Sequence, residues 1–400
     1  MPAMPLQAIS LLFHAYVGWR LVPALGSFAA GAVLALLLLV SALTLPFGLG
    51  ARRGGARRFG TQLAWIGLVC MGLFSSSFVL TFVRDLGLLA AAALDVIRPG
   101  TLALAPLIEP SAWAVVIAAV LVTLWGFVNA RRTAKVVRVD IPVAGLPQAF
   151  DGFTIAQISD VHVGPTIKRP YVEAIVAAVN GLDVDIVAIT GDLIDGSVRD
   201  LADDVAPLAG LRSREGSYFV TGNHEYYSGA DIWVSELRRL GVKVLMNEHV
   251  VVRRGDAALV VAGVTDFSAG HFDRAQASDP GAALVGSPAS AALRVLLAHQ
   301  PRSAAAAEAA GFDLQLSGHT HGGQFLPWNF LVRLQQPFTA GLHRWRRMWV
   351  YTSRGTGYWG PPKRIGAPSE ITLLRLVGAP VAGAATVPVP PRAATAAPGV

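Results

Sequence analysis

The chain has 400 residues, of which 53% are hydrophobic, and a formal net charge of +7. Its charges are unevenly placed: residues 1–139 hold 11 of the 33 Lys and Arg and three of the 26 Asp and Glu, which leaves 22 and 23 for residues 140–400. The C-terminal part is therefore close to neutral and lacks the basic face of a nucleic-acid-binding domain, so no nucleic-acid partner is expected. The single cysteine, Cys70, excludes a disulfide framework.

The N-terminal third consists of long uncharged runs. Residues 21–51, 61–83 and 111–130 contain no charged side chain, and each run is long enough to cross a hydrocarbon core of about 30 Å at about 1.5 Å per residue. A weaker run over residues 6–19 is either a fourth spanning helix or an interfacial one. We therefore predict a transmembrane region over residues 1–133, with four helices in contact with the lipid bilayer.

Arginine residues in the connections predict how these helices are oriented. Residues 51–60 hold four arginines between the second and third spans, and residues 130–138 hold four more positive charges after the last span. The connection 84–110 has two arginines against three acids. Because cytoplasmic loops carry an excess of Lys and Arg, the first two segments are expected in the cytoplasm. The prediction is a multi-pass protein of the inner cell membrane whose C-terminal domain lies in the cytoplasm.

The remainder of the chain contains short apolar runs that each end in polar residues. These runs cover residues 153–162, 184–195, 216–225, 293–301 and 312–321. Between the first two, residues 169–182 have apolar side chains spaced three and four apart, which predicts a helix. Strands that alternate with helices indicate an α/β fold whose loops at one sheet edge carry the chemistry. This domain is expected over residues 140–377, followed by a disordered Ala- and Pro-rich tail, 378–400.

Potential metal ligands stand where these runs end. They are Asp160, His162, Asp192, Asp195, Asn223, His224, His299, His319 and His321. Carboxylate, amide oxygen and imidazole suit Mn²⁺, Fe and Zn²⁺, and two such ions held close together need a shared carboxylate. Taken singly, each histidine could be an ordinary structural residue, but packing does not predict a donor at five separate junctions. We therefore interpret His319 and His321 as ligands that face different metal ions.

The same residues form five sequence blocks in a known order. They read DVH at 160–162, GDLID at 191–195, GNHE at 222–225, AHQP at 298–301 and GHTH at 318–321. In this order they resemble the calcineurin-like metallophosphoesterases, with the signature D-x-H, G-D-x-x-D, G-N-H-[DE], a lone His and G-H-x-H. The resemblance covers about residues 140–377 and implies an αββα sandwich. The surrounding sequence looks like the membrane-associated bacterial branch, in which some relatives hydrolyse the pyrophosphate of UDP-2,3-diacylglucosamine.

The resemblance also implies roles for the residues of the signature. The first of two divalent ions (Mn²⁺, Fe or Zn²⁺) would be held by Asp160, His162, Asp192 and His321. The second would be held by Asn223, His299, His319 and the shared Asp192. His224 would stabilise the charge of the scissile phosphate or protonate the leaving oxygen, with Asp195 orienting its ring. A capping role is the alternative for Asp195.

The side chains of the substrate pocket are less directly indicated. Candidates are Tyr226, Tyr227, Arg354, Tyr358 and Trp359; loop packing of the aromatic residues and a surface position of Arg354 are the alternative. Gly196 stands where phosphoprotein phosphatases of this superfamily have a phosphate-gripping arginine, which disfavours a protein phosphatase. The basic and aromatic sequences 343–349 and 361–364 could contact anionic headgroups or substrate, or form a solvated face.

These features predict a membrane-anchored phosphoesterase. It would hydrolyse a phosphodiester or pyrophosphate by a metal-bridging hydroxide, without a covalent phosphoenzyme. Its phosphorylated substrate would be a small molecule or a lipid-linked compound such as UDP-2,3-diacylglucosamine. The alternatives are a non-catalytic binding or regulatory membrane protein that keeps the fold, and a phosphomonoesterase or protein phosphatase.

Overall fold

The computed structural model describes residues 6–50, 60–100 and 103–379. Two predicted features fall outside these ranges. The four arginines of the expected cytoplasmic loop belong to residues 51–59, and almost all of the expected disordered tail belongs to residues 380–400.

Four helices form the N-terminal part of the molecule. They are α1 (Leu6–Leu21), α2 (Phe28–Gly50), α3 (Gly60–Ile97) and α4 (Ala105–Arg131). All four are long and apolar enough to cross a membrane. With 38 residues, α3 is about 57 Å long and continues well past residue 83, where the predicted span ends. Its Asp85 is paired with α1: Arg20 Nε donates a hydrogen bond of 2.8 Å to Asp85 Oδ2.

Two six-stranded sheets follow the helices. The first contains, in spatial order, β1 (Lys135–Ala144), β12 (Glu370–Ala379), β2 (Thr154–Ile158), β3 (Ile186–Ile189), β4 (Ser217–Phe219) and β5 (Lys243–Val244). The second contains β10 (Gly341–Trp345), β11 (Met348–Thr352), β9 (Leu314–Ser317), β8 (Leu293–Leu297), β7 (Ala257–Gly263) and β6 (Glu248–Arg254). β1 begins only four residues after α4 ends at Arg131, so the sheets lie close to the apolar helices.

The two sheets pack face to face between outer layers of helices. The helices α5 (Arg169–Asn180), α6 (Val198–Val205) and α8 (Ala230–Arg239) cover the first sheet, and α9 (Ala304–Ala310) covers the second. Within β3, Ile186 and Ala188 point to the core between the sheets, whereas Val187 and Ile189 point to the helices. Successive residues of a strand face opposite sides, so an uninterrupted apolar run fills both layers. The expected αββα sandwich is confirmed.

Parallel pairing places the loops that follow the strands at a common edge. Strands β2, β3 and β4 run parallel in the first sheet, as do β7, β8 and β9 in the second. The carboxyl ends of parallel strands meet at one edge of a sheet. The loops after these strands therefore converge, and with them the short helices α7 (Asn223–Ser228) and α10 (Trp328–Leu331).

Candidate metal centre

All nine residues singled out at strand ends lie together in the folded protein. Asp160 and His162 follow β2, Asp192 and Asp195 follow β3, Asn223 and His224 begin α7 after β4, His299 follows β8, and His319 and His321 follow β9. Three sets of these residues place potential ligand atoms within 4.8 Å of one another: Asp160 with His162 and His321; His162 with Asp192 and His224; Asp192 with His299 and His319. Two sheets thus contribute to one centre.

The backbone at the centre adopts a conformation that is uncommon for residues with a side chain. Five of these nine residues have left-handed φ angles, namely Asp160 (53°), His162 (55°), Asp192 (50°), His319 (68°) and His321 (51°). Asp and His tolerate this region better than most residues, but it remains unfavourable. The concentration of such angles here shows that the strand ends turn sharply to present these side chains to one point.

Two glycines of the sequence blocks make the close approach possible. A Cβ on Gly222 would lie 2.2 Å from Asp192 Oδ1, and a Cβ on Gly318 would lie 2.1 Å from Asp160 Oδ2. Both carboxylates therefore rest directly against the backbone of a neighbouring loop. His319 N donates to Asp160 Oδ1 over 2.9 Å, which fixes that carboxylate further.

Asp160, His162 and His321 form one half of the centre. The Nε2 atoms of His162 and His321 lie 3.1 Å apart, and His321 Nε2 lies 3.6 Å from Asp160 Oδ1. Asp192 Oδ2 lies 3.9 Å from His162 Nε2. Imidazole nitrogens that face each other at this distance converge on a single point, as ligands of one ion do.

Asp192, Asn223, His299 and His319 form the other half. His299 Nε2 lies 3.1 Å from Asp192 Oδ2 and 3.2 Å from His319 Nδ1. Asn223 Oδ1 is buried and has no hydrogen-bond partner. A buried amide oxygen without a partner costs free energy, so this atom is expected to contact a cation or a hydrogen-bond donor. Asp192 lies between the two halves, where a shared carboxylate is required.

Two histidines at this centre, His319 and His321, are in the neutral form that binds a cation, whereas the neighbouring carboxylates Asp192 and Asp160 hold the pKa of His299 well above its usual range. Burial lowers the pKa of His319 to about 3 and holds that of His321 well below its usual range, so both rings are neutral at pH 7 and can donate a lone pair. Burial raises the pKa of Asp160, and a nearby cation would restore its ionised form. Together with the orphaned oxygen of Asn223, this donor set fits two divalent ions.

His224 lies beside these ligands on the cavity side. Its backbone N donates to Asp192 Oδ1 over 2.8 Å, and its Nδ1 is hydrogen-bonded to Asp195 Oδ1. The second oxygen of Asp195 lies 3.3 Å from His162 Nδ1. Asp195 thus contacts two imidazoles at once, and His224 Nε2 lies 3.9 Å from Asp192 Oδ2.

Glu225 has a positioning role that the sequence reasoning missed. It is fully buried, and its carboxylate accepts hydrogen bonds from the backbone N–H groups of Asp192 (3.0 Å), Leu193 (2.8 Å) and Gly222 (2.6 Å). It therefore ties the loop after β3 to the loop after β4 and holds the shared ligand in place. The only signal for it in the sequence is the last letter of GNHE.

Lys363 and Arg364 are the clearest departure from expectation. They are 2% and 1% exposed, so the prediction that residues 361–364 contact headgroups or form a solvated face is wrong. Arg364 Nη2 lies 3.1 Å from His321 Nδ1 and donates to Gly357 O over 2.6 Å. Arg364 therefore supports the ring of a candidate ligand, and no local sequence pattern distinguishes it from a surface arginine.

A cavity of about 590 Å³ opens onto the centre. Its polar lining residues include Asp195, Asn223, His224, His319 and His321. Its apolar and aromatic lining residues include Tyr227, Phe325, Trp328 and Trp359 from the sandwich, Leu6 from α1 and Met71 from α3. The cavity therefore connects the candidate metal centre with the apolar helices.

Two of the five predicted pocket residues, Tyr227 and Trp359, line this cavity. The other three are placed elsewhere. Tyr226 stacks on Phe272 at 5.5 Å between ring centroids. Arg354 Nη1 donates to Glu370 Oε2 over 2.7 Å, and the buried Tyr358 donates to Thr166 O over 3.2 Å. The contacts of Tyr226 and Tyr358 are those of loop packing, the alternative raised above for the aromatic residues, and Arg354 is paired with the buried Glu370.

Comparison with known proteins agrees with this geometry. The family model for the calcineurin-like phosphoesterases matches residues 153–323, a range that contains all nine residues of the centre. An uncharacterised metallophosphoesterase from Aquifex aeolicus is 31% identical over 247 residues, which cover 61% of this chain and 92% of that protein.

Two vertebrate relatives are named as transmembrane proteins. Proteins named transmembrane protein with metallophosphoesterase domain are 41% identical over 273 residues in Danio rerio and 42% identical over 268 residues in Bos taurus. These matches cover 65% and 64% of this chain but only 61% and 60% of the relatives. Among solved structures, a sulfate thiohydrolase from Thermus thermophilus is 16% identical with a TM-score of 0.36, covering 58% of this chain and 57% of that one.

Proposed function

Because the chain belongs to the calcineurin-like metallophosphoesterase family, we propose that it is a metal-dependent hydrolase of a phosphodiester or pyrophosphate. The observation that carries the proposal is the pair of adjacent ligand groups around Asp192, which open into one cavity. When bound, two divalent ions supply positive charge to the phosphoryl oxygens and lower the pKa of a water molecule.

The ligands divide between the two ions in the way their contacts suggest. The first ion would be held by Asp160, His162, His321 and the shared Asp192. The second would be held by Asn223, His299, His319 and again Asp192. The backbone turns and glycine contacts described above support the side chains of this ligand set.

His224 is the group that acts on the substrate. Asp195 accepts a hydrogen bond from its Nδ1, which orients the ring. Nε2 is the atom that would give a proton to the leaving oxygen or stabilise charge on the phosphoryl group of a substrate in the cavity.

The lining of the cavity supports a diester or pyrophosphate over a monoester. Among the lining residues in the described part of the chain there is no Lys or Arg. A monoester dianion would be expected to need such a partner, whereas the single charge on each phosphoryl group of a diester or pyrophosphate does not. The aromatic and aliphatic residues that line the cavity would accommodate an apolar substituent. They therefore favour a lipid-linked substrate such as UDP-2,3-diacylglucosamine.

The location of the enzyme is part of the same proposal. The four apolar helices would span the inner membrane, and the sandwich would lie on the cytoplasmic side together with the arginine-rich segment 51–60. A C-terminal fusion of the full chain to a reporter that is active only in the periplasm tests this. Reporter activity would reverse the proposed orientation.

The activity is tested on the purified full-length protein, stripped of metal and reloaded with Mn²⁺. Substrates are bis-p-nitrophenyl phosphate, p-nitrophenyl phosphate and UDP-2,3-diacylglucosamine. We expect metal-dependent cleavage of the diester or the pyrophosphate that is lost in Asp192→Asn. His271→Ala is the matched control, because His271 is exposed and lies outside the centre.

The competing function is a binding or regulatory membrane protein that keeps the fold without turnover. It is favoured if the wild-type protein binds two ions but cleaves none of these substrates, and if His224→Ala retains full biological function. The complete set of candidate ligands with His224 beside it argues for the enzyme, since a binding protein has no need of that residue.

A further inference from the structure

A segment between β9 and β10 exposes an unusual number of large apolar side chains. Leu326 is 49% exposed, Trp328 40%, Phe330 62%, Leu331 45% and Leu334 82%. Apolar side chains this close together on a surface mark a contact with a partner or a membrane. We call residues 326–334 the apolar segment; it includes α10, and its one charged residue is Arg333.

The helices provide a scale of depth for this segment. At one end of the bundle Asp85 pairs with Arg20. At the other end the guanidinium of Arg131 lies 5.5 Å from the ring centroid of Trp65, a pairing that suits a membrane interface. Twenty residue steps separate Trp65 from Asp85 along α3, which is about 30 Å and equals the thickness of a hydrocarbon core. The two pairs therefore mark its two boundaries.

The contacts of Lys363 show that part of the sandwich reaches past the boundary at Trp65 and Arg131, towards the middle of the hydrocarbon core. Lys363 Nζ donates to Gly72 O over 2.7 Å and to Thr123 Oγ1 over 3.4 Å. Gly72 is seven steps along α3 from Trp65, and Thr123 is eight steps along α4 from Arg131. At about 1.5 Å per residue these are depths of about 10 and 12 Å. Two helices thus give the same depth independently.

Leu326, where the apolar segment begins, lies at least as deep. Ser75 Oγ of α3 donates to Leu326 O over 3.4 Å, and Ser75 is ten steps from Trp65, about 15 Å along the helix. A typical helix tilt of about 20° shortens such depths only slightly. Exposed side chains of the segment near this depth would therefore meet lipid.

The same segment forms one wall of the cavity. Trp328 and Val332 of the segment line it together with the preceding Phe325, Met71 of α3 and Leu6 of α1. We propose that the apolar segment is inserted in the hydrocarbon of the bilayer and admits a membrane-resident phosphoester sideways into the cavity. Acyl chains would remain in the lipid while the phosphorus reaches the ligand centre. The insertion requires only that the helices span a membrane, whereas sideways admission rests on the proposed hydrolase function.

Insertion is tested on the full chain without any assay of activity. In a Cys70→Ser background, Phe330→Cys carries an environment-sensitive fluorophore and the protein is reconstituted in phosphatidylcholine vesicles. Nitroxide-labelled lipid is expected to quench the fluorophore at position 330. The control is Val285→Cys, on the sandwich and 78% exposed, which should be quenched by aqueous iodide instead. Quenching at position 330 by iodide and not by lipid would overturn the insertion.

Sideways admission is tested with Phe330→Asp and Leu334→Asp, against Val285→Asp. Their kcat/KM for UDP-2,3-diacylglucosamine in vesicles should fall at least about tenfold, because a carboxylate is costly in hydrocarbon. Cleavage of water-soluble bis-p-nitrophenyl phosphate should be unchanged. Equal effects on both substrates, or on neither, would overturn this step. If the wild type cleaves neither substrate, the hydrolase proposal and sideways admission both fail, while the quenching result still decides insertion.

Discussion

Adding a methyl group at Gly222 places an atom where Asp192 now lies. The Cβ would be 2.2 Å from Asp192 Oδ1 and 2.6 Å from Asp192 N, whereas ordinary contacts begin at 3.4 Å. The carboxylate would have to withdraw by about 1.2 Å, far beyond the tolerance of about 0.2 Å on metal–ligand distances. Gly222 has φ −99° and ψ −174°, which alanine adopts readily. The perturbation in Gly222→Ala is therefore steric.

Since Asp192 would serve both ions, Gly222→Ala should weaken both sites. Displacing the support of a ligand lowers metal affinity by about 10- to 100-fold. Overpacking of a buried position costs in addition about 1–3 kcal/mol of folding stability. Affinity is measured by calorimetric titration of Mn²⁺ into metal-stripped protein, and stability by thermal unfolding in the presence of a chelator.

The matched control is Gly210→Ala, where the nearest atom to the new Cβ is Val176 Cγ1 at 3.7 Å. It should bind Mn²⁺ as the wild type does. Folded Gly222→Ala protein that binds two Mn²⁺ ions with wild-type affinity would show that Asp192 is not the shared ligand.

Two further changes have expected outcomes. His224→Ala should lower kcat by about 10²–10⁴-fold while two ions stay bound; loss of metal along with activity would make His224 a ligand. Removing the ions with a chelator should lower the Tm of the wild type, because a site occupied at 1,000 times its Kd contributes about 4 kcal/mol of stability. The same treatment should leave the Tm of Asp192→Asn nearly unchanged, and equal shifts in the two proteins would argue against these sites.

The α/β character of the domain could be predicted because its signals are local, whereas the αββα sandwich was implied by the family resemblance. An apolar run that ends in polar residues marks a strand and its loop, and apolar spacing of three and four marks α5. The residue types at the strand ends were equally readable, since Asp, Asn and His in five ordered blocks indicate hard and borderline metal ions. The structure adds the proximity of these side chains, which depends on how the two sheets pack.

Positions whose role depends on distant partners could not be read in this way. Arg354 and Tyr358 were candidates for the pocket, yet their partners are Glu370 and Thr166. In the sequence, Glu225 looks like any acidic residue that follows a histidine. Its role is visible only in the folded protein, where its carboxylate accepts hydrogen bonds from three backbone N–H groups. No periodicity or composition encodes such contacts.

The apolar helices, the strands of the C-terminal domain and the chemistry of the ligand set are thus properties that the sequence determined by itself, because each depends on neighbours along the chain. Burial of Lys363 against Gly72, 291 positions away, was decided only by tertiary structure. So was the cavity that joins His224 to Met71 and Trp328. Charge and hydropathy are properties of a single residue, whereas its solvent exposure and its contact partners depend on the packing of the whole chain.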